Sequence, residues 1–189
     1  MALPALVPAG TGASVYDGQL RHVSGAAAAA LLVSGDVLVA HAAFVAGRLK
    51  TQPVRPLFDV LELFAFARPG VPCVPSALGI ARALGIEVEA GAAAHALPDC
   101  ALQLLAELPA LPEKTLSALR PMTQTLAKAG WRWAPLILDI IEPSELQRAP
   151  LAGFEVWRTL PEWEDAPLPP KRADTLQGQL QEYTLTALL

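Results

Sequence analysis

Apolar residues near the start of the chain form short runs separated by glycine-containing turns. Ala5–Val7 and Ala13–Tyr16 are such runs, and the segment 9–12 between them contains two glycines. The pair Asp17-Gly18 then precedes a third run, Leu20–Val23. Short apolar runs joined by tight turns are typical of antiparallel strands, so the pattern predicts a hairpin here.

The next apolar positions follow a helical pattern. We predict a helix over Ala26–Val33, with Ser24 as its N-cap and Gly35 just after its end. Serine suits the N-cap because its hydroxyl accepts a hydrogen bond from a free backbone N–H, and glycine suits the left-handed residue that ends a helix.

A strand and a helix then follow one another without a gap. Val37–Ala40 is an unbroken apolar run that predicts a strand covered on both faces. His41 opens a segment in which Phe44, Val45 and Leu49 recur at helical spacing. A buried strand leading into a helix indicates an α/β layer fold.

The pattern continues with a short strand and two helices. Leu57–Asp59 is predicted to end a strand, Val60–Ala67 to be helical and 71–75 to be a proline-containing loop. Ser76 is predicted to cap a helix that ends near Gly85.

Prolines divide the remaining apolar pattern. We predict a helix over Pro98–Leu108, with Asp99 in its first turn, where a carboxylate interacts favourably with the helix dipole. Three further helices are predicted after Pro109, at Lys114–Leu119, Pro121–Ala129 and Trp131–Ile141. Beyond them we predict a helix at Ser144–Arg148, an apolar segment at Phe154–Leu160, a Pro-rich acidic linker at Pro161–Pro170 and a helix within Ala173–Leu189.

The element order indicates an α/β fold with a mixed sheet, antiparallel at its start and parallel afterwards. We predict an α/β domain over 1–108, a helical appendage over 109–160 that packs on or beside it, and a linker with a terminal helix over 161–189.

Charge argues against a strongly basic nucleic-acid-binding surface. Residues 1–86 carry six Arg and Lys against four Asp and Glu, a net charge of +2, while residues 87–189 carry eight against fourteen, a net charge of −6. We therefore expect weak or no direct binding of nucleic acid by this segment. Trp131-Arg132-Trp133 has two interpretations: its rings stack on bases of a single strand, or they pack around a helix crossing.

Cysteine spacing and hydropathy argue against a zinc-binding, disulfide-rich, secreted or membrane-spanning protein. Cys73 and Cys100 lie 27 positions apart without a CxxC spacing, which favours buried free thiols over a zinc site or a disulfide. The N-terminus lacks the pattern of a signal peptide, and the longest apolar run, Ala26–Val33, is shorter than the roughly 20 residues that span a bilayer. We expect a cytoplasmic protein without a membrane segment.

Four stretches in the same order resemble the DnaQ-like (DEDD) exonuclease domain, which has a ribonuclease-H-like fold. The second of these resembles a Pro-x-x-Asp-Thr-Leu-Glu-Leu segment, and the last resembles a His-x-Ala-x-x-Asp-Ala motif. The stretches are Leu38–His41 with Phe44, Pro56–Leu63, Ser76–Ile86, and His95–Ala101.

The resemblance implies an emptied metal site. Enzymes of that family hold two divalent cations with four carboxylates, because hard cations select charged oxygen ligands. Here the first-strand positions are Val7 and Ala9, the second-motif position is Val45 (or Ala46 if the preceding loop is not one residue shorter), and the third-motif position is Cys100. We therefore expect no catalytic residue, no metal and no cofactor.

Four polar residues have alternative interpretations in light of this resemblance. The resemblance gives His95 the general-base position, where it has no metal-bound water to deprotonate. Asp99 lies one residue before Cys100, and one residue turns a helical side chain by about 100°, so we expect it to cap the helix instead. An active nuclease would need a site rebuilt from Asp99, Asp59 and Glu62.

Parts of the chain also resemble the N-terminal region of DinG-like ATP-dependent DNA helicases, which carries a decayed exonuclease domain. Phe58–Phe66 and the later Trp157–Asp165 carry this likeness. It implies an accessory domain whose partner is a helicase motor in cis, although these 189 residues contain no Walker A motif. The alternatives are the rebuilt 3′–5′ exonuclease and a stand-alone scaffold protein.

Overall fold

The computed structural model describes residues 3–141 of the chain. The elements predicted at Ser144–Arg148, Phe154–Leu160, Pro161–Pro170 and Ala173–Leu189 lie outside the described residues, as does the helicase-like segment Trp157–Asp165.

The centre of the described chain is a five-stranded mixed sheet with the strand order β3-β2-β1-β4-β5. The strands are β1 (Ala5–Ala9), β2 (Gly12–Tyr16), β3 (Leu20–Ser24), β4 (Leu38–Val39) and β5 (Phe58–Asp59). The first three strands pair antiparallel, while β4 is parallel to β1 and β5 is parallel to β4. The predicted mixed sheet and its opening hairpin are therefore confirmed.

Seven α-helices and one 3₁₀ turn are present in residues 3–141. The helices are α1 (Gly25–Ser34), α2 (Ala42–Leu49), α3 (Val60–Ala67), α4 (Ala77–Ala83), α5 (Ala93–Glu107), α6 (Glu113–Lys128) and α7 (Ala134–Ile140), and the 3₁₀ turn is Leu108–Ala110. Within this range no helix combines the length and the apolarity needed to cross a membrane.

The predicted caps form as expected. The Ser24 hydroxyl accepts a hydrogen bond from Ala27 N–H at 3.3 Å, and the Ser76 hydroxyl accepts one from Gly79 N–H at 3.1 Å. Gly35 ends α1 in the left-handed conformation, with φ 76°. Each cap satisfies a helix-end group that would otherwise lack an intrahelical partner.

Helices cover both faces of the sheet. Leu6, Val15 and Val39 point from the strands into one apolar core, which includes residues of α1 and α2. Neighbouring side chains along a strand point to opposite faces, and Tyr16, next to Val15, contacts His95 of α5. The helix α5 therefore covers the other face, where α3 and α4 pack against it.

Three predicted boundaries at β4 and the helix after it are wrong by one residue. The strand is only Leu38–Val39, since Val37 and Ala40 are buried but have no register partner in β1 or β5. The helix begins at Ala42, and His41 is its N-cap residue with a left-handed backbone, φ 66°.

The predicted start of α5 at Pro98 is wrong. The helix begins at Ala93 and continues through Pro98. Ala94, Ala96 and Leu97 are at most 3% exposed, and burying a leucine side chain alone contributes about 1.5–3 kcal/mol. That gain offsets the cost of about 3 kcal/mol for an internal proline.

The prediction of three helices after Pro109 is also wrong. One helix, α6, passes through Pro121, and it buries Leu119 and Thr123 on either side of that residue. The segment Trp131–Trp133 forms a turn that precedes α7. Burial on both sides of the proline again outweighs its local effect on the backbone.

Candidate functional site

Three parallel strands end at the same edge of the sheet. Strands β1, β4 and β5 run parallel, so their last residues, Ala9, Val39 and Asp59, lie toward one edge. In α/β sheets ligands bind outside the carboxyl ends of the strands. This edge is therefore the first place to look for a functional site.

Asp59 is the buried carboxylate at this edge, with 3% of its surface exposed. Its side chain accepts three backbone hydrogen bonds, from His41 N–H at 2.9 Å, Ala42 N–H at 2.6 Å and Leu61 N–H at 2.9 Å. One carboxylate thus caps both α2 and α3, and it holds His41 in a left-handed conformation that costs about 1–3 kcal/mol. His41 is thus held at the start of α2 through its backbone N–H.

Two tryptophans attach the chain after α6 to this region. The Trp133 indole N–H donates to the backbone carbonyl of Asp59 at 2.8 Å, and the Trp131 indole N–H donates to Glu62 Oε2 at 2.9 Å. Trp133 also packs edge-on against Phe58, with 5.1 Å between ring centroids. We call Asp59, Glu62, Trp131 and Trp133 the β5 junction.

The environment of Glu62 changes its acidity. Desolvation raises the pKa of Glu62 most, the negative charge of Asp59 raises it further, and the hydrogen bond from Trp131 opposes both effects. The carboxyl is a hydrogen-bond acceptor for the indole whether or not it is ionised. Glu62 can therefore accept the hydrogen bond from Trp131 in either protonation state.

Arg132 adds a charged contact beside the junction. Its guanidinium lies 4.5 Å from the centroid of the Phe58 ring, and Arg132 Nη2 lies 2.7 Å from Asp36 Oδ1. Arg55 pairs with the other oxygen of Asp36. Arg132 Nε is buried without a hydrogen-bond partner among the described residues. The segment Trp131–Trp133 is therefore used for internal packing, as the second of its two interpretations proposed, although it lies in a turn and not on a helix.

The positions that the resemblance assigns to metal carboxylates lie on two sides of the sheet. Val7 and Ala9 share the face of β1 with Ala5, by strand alternation, and this is the face that α5 covers. Cys100 is fully buried on α5. Val45 instead belongs to the core formed with α1 and α2, and Ala46 packs against that core.

These residues do not fit a divalent cation. Aliphatic side chains supply no ligand oxygen, and hard cations select carboxylates. Burial, and secondly the charge of Asp99, raise the pKa of the Cys100 thiol to about 11, so it stays protonated near neutral pH. Among residues 3–141, no group of three or more His, Cys, Asp and Glu side chains is placed to hold a metal ion.

His95 and Asp99 lie exposed on α5. The His95 ring meets Tyr16 edge-on, with 4.5 Å between centroids. The two residues line a cavity with the segment before α5. Because α5 begins at Ala93, Asp99 lies in its second turn, and the prediction that Asp99 caps this helix is wrong.

Sequence reasoning missed two features of this region. The contact between Trp133 and Asp59 joins residues 74 positions apart, and no local pattern indicates it. The cavity beside His95 was also missed, although Gly85 and Gly91 on either side of an alternating apolar and acidic segment signal a loop with one exposed edge.

No protein-family model, curated protein or solved structure matches this chain. The described residues form a mixed α/β fold with a five-stranded sheet flanked by helices.

Proposed function

We propose that this chain is a catalytically inactive, exonuclease-like accessory domain with a ribonuclease-H-like fold. It serves as an interaction module of a DinG-like ATP-dependent DNA helicase in DNA repair or replication, with the helicase motor in cis as its partner. The four stretches that resemble the DnaQ-like exonucleases support this proposal, and the strand order β3-β2-β1-β4-β5 is compatible with it.

The observation that carries the proposal is the engagement of Asp59. Its oxygens accept three backbone N–H groups, at 2.6 to 2.9 Å. A carboxylate that caps two helices contributes to folding, and binding a cation would require it to give up those hydrogen bonds. The buried carboxylate at the carboxyl edge of the sheet therefore acts as part of the framework.

The same geometry argues against a nuclease rebuilt from Asp99, Asp59 and Glu62. Glu62 is bonded to Trp131, and Asp99 is exposed on α5, where it lines a cavity with Glu87 and Glu89. Two-metal catalysis needs carboxylates that converge on ions about 3.5–4 Å apart. These three carboxylates are instead divided between the β5 junction and a solvent-facing helix.

A nuclease assay tests the catalytic part of the proposal. Purified protein is incubated with 5′-labelled single-stranded DNA and manganese, and we expect no shortening of the strand. Cooperative urea unfolding of the same preparation shows that it is folded. Metal-dependent shortening that Asp99→Ala abolishes, and that the exposed control Asp139→Asn leaves intact, would overturn the proposal.

The sequence of the encoding gene distinguishes a stand-alone scaffold protein from a module of a helicase. Reading the encoding frame past Leu189 is expected to reveal a Gly-x-x-x-x-Gly-Lys-Ser/Thr phosphate loop. A stop codon directly after Leu189 would favour the scaffold.

A further inference from the structure

Residues 85–92 connect α4 to α5, and we call them the 85–92 loop. Along this loop, exposed acidic residues alternate with partly buried apolar ones. Gly85 and Gly91 turn the backbone at its two ends, with φ 73° and 83°. Between them, the exposed residues Glu87 and Glu89 alternate with partly buried apolar residues. The loop is therefore anchored by one side and exposes its carboxylates on the other.

A groove follows this loop. A cavity of about 460 Å³ lies between the loop and α4, where Leu78 and Arg82 line it. A second cavity, of about 280 Å³, lies between the loop and α5, where His95 and Asp99 line it. Residues 86–89 line both cavities, so the two form neighbouring parts of one surface.

Several polar groups of the groove have no partner within the described part of the chain. Glu87, Glu89 and Asp99 form no ion pair with any cation of residues 3–141. No hydrogen bond among those residues uses the backbone N–H or C=O of Glu87 or Val88. Leu78, at the rim, is 50% exposed. The groove thus combines unpaired negative charge, free backbone groups and apolar surface.

We propose that the groove along the 85–92 loop binds an extended, basic segment of a protein partner. Lysine or arginine side chains of that segment pair with Glu87, Glu89 and Asp99, while an apolar side chain packs against Leu78. The proposal rests on the interaction role proposed above and adds the chemistry of the partner.

Charge complementarity selects this occupant. The three carboxylates outnumber the single arginine of the groove, Arg82, so a nucleic-acid backbone is repelled. An extended partner segment suits this groove because its residues two apart lie on the same side, about 6.6 Å from each other. Two basic side chains at that spacing can face Glu87 and Glu89, which are also two residues apart. The free N–H groups of Glu87 and Val88 donate main-chain hydrogen bonds to the segment and their free C=O groups accept them, as in other modes of strand addition.

A peptide titration of the full 189-residue chain tests the proposal. The probe is a fluorescein-labelled, capped peptide, Gly-Lys-Leu-Lys-Ser-Lys-Gly, and its comparison is Gly-Glu-Leu-Glu-Ser-Glu-Gly, both followed by fluorescence anisotropy at low salt. We expect the basic peptide to bind at least about tenfold more tightly than the acidic one. The double variant Glu87→Gln/Glu89→Gln is expected to raise the Kd for the basic peptide about fivefold.

Matched substitutions separate the groove from general charge. Glu113→Gln/Asp139→Asn removes two exposed carboxylates elsewhere and is expected to change the Kd less than about twofold. Leu78→Ala is expected to raise the Kd about threefold, and Val54→Ala, at a residue 81% exposed in another loop, is expected to leave it unchanged.

Three outcomes would overturn the proposal. These are equal Kd values for the two double variants, equal affinity for the two peptides, or a dimer of this chain that Glu87→Gln/Glu89→Gln dissociates. The nuclease assay on the same preparation judges the proposed function separately. If the protein neither cleaves DNA nor binds the basic peptide, only the groove proposal is rejected. If it cleaves DNA, the proposal of an inactive domain is rejected, regardless of the peptide result.

Discussion

The β5 junction and the 85–92 loop both place carboxylates beside apolar surface, but they use them differently. At the junction, Asp59 accepts three backbone N–H groups and Glu62 accepts an indole N–H. In the loop, Glu87 and Glu89 meet no cation of residues 3–141. The same residue types therefore stabilise the fold in one region and have no cationic partner within residues 3–141 in the other.

The difference follows from burial. A buried acceptor must be satisfied inside the protein, since leaving its donors unpaired costs about 1–3 kcal/mol each. An exposed carboxylate is satisfied by water and loses little when it has no protein partner. Substitutions should consequently have large effects on stability at the junction and small ones in the loop.

Removing the Asp59 side chain should have the largest effect. Asp59→Ala leaves three backbone N–H groups without their acceptor and exposes the strain at His41. We expect the free energy of unfolding to fall by about 4 kcal/mol, measured by urea denaturation.

The matched control for Asp59→Ala is Asp139→Asn, at an exposed position of α7. It should change the free energy of unfolding by less than about 0.5 kcal/mol. Equal effects of the two substitutions would show that the triple cap is not what holds α2 and α3.

Replacing the indole of Trp133 should have the next largest effect. Trp133→Phe keeps an aromatic ring against Phe58 but removes the N–H that donates to the Asp59 carbonyl at 2.8 Å. We expect a loss of about 2 kcal/mol, because a buried carbonyl loses its donor and the smaller ring leaves a gap. Trp131 is half-buried and donates to Glu62, so Trp131→Phe should lower the free energy of unfolding by about 1 kcal/mol or less. Urea denaturation measures both variants. A larger loss for Trp131→Phe than for Trp133→Phe would contradict the view that Trp133 is the stronger attachment.

The ion pair between Arg68 and Glu107 should have an intermediate effect on the free energy of unfolding, and this effect should depend on pH. Arg68 donates to both oxygens of Glu107, at 2.8 and 2.6 Å, and to the Ala83 carbonyl at 3.2 Å at the end of α4. The hydrogen bonds from Arg68 to the Glu107 carboxylate are the main reason that the pKa of Glu107 lies below its ordinary value of 4.5. The bidentate pair joins the end of α3 to the end of α5, and the third hydrogen bond holds the end of α4, the helix that precedes the 85–92 loop.

The sign of the pH dependence follows from that lowered pKa. The unfolded chain binds the Glu107 proton more tightly, so the contribution of the pair is present above pH 4.5 and is lost as pH falls through the folded-state pKa. Glu107→Gln should cost about 1 kcal/mol at pH 7 and less at pH 3. Urea titrations at the two pH values measure the loss of unfolding free energy caused by Glu107→Gln. A loss that is larger at pH 3 than at pH 7 would contradict a stabilising pair between Arg68 and ionised Glu107.

The elements that local sequence predicted are those with local causes. Ser24 and Ser76 lie three residues before the N–H groups that they cap, so their roles are visible in the sequence. The helix over Val60–Ala67 was predicted with its observed limits, because Asp59 precedes it and Arg68-Pro69 follows it. The antiparallel start and the parallel continuation of the sheet likewise followed from turn length.

The errors arose where burial overrides local signals. Pro98 and Pro121 lie inside helices because apolar residues on both sides of each proline are buried. At the candidate site, the resemblance assigned Val45 and Cys100 to one constellation, but Val45 packs in the core beneath α1 and α2. The groove depends on the path of the backbone between two helices, which residue types alone do not determine.

The smallest effect is expected from the loop, and it completes the comparison. Glu87→Gln/Glu89→Gln removes two exposed charges that have no cationic partner in residues 3–141. We expect the free energy of unfolding to change by less than about 0.5 kcal/mol, because neither side chain satisfies a buried group. The same double variant is expected to weaken binding of the basic peptide, so stability and binding are separated in one protein. A loss of about 2 kcal/mol or more in urea denaturation, half the effect expected for Asp59→Ala, would mean that the loop carboxylates stabilise the fold, and the distinction between the two regions would fail.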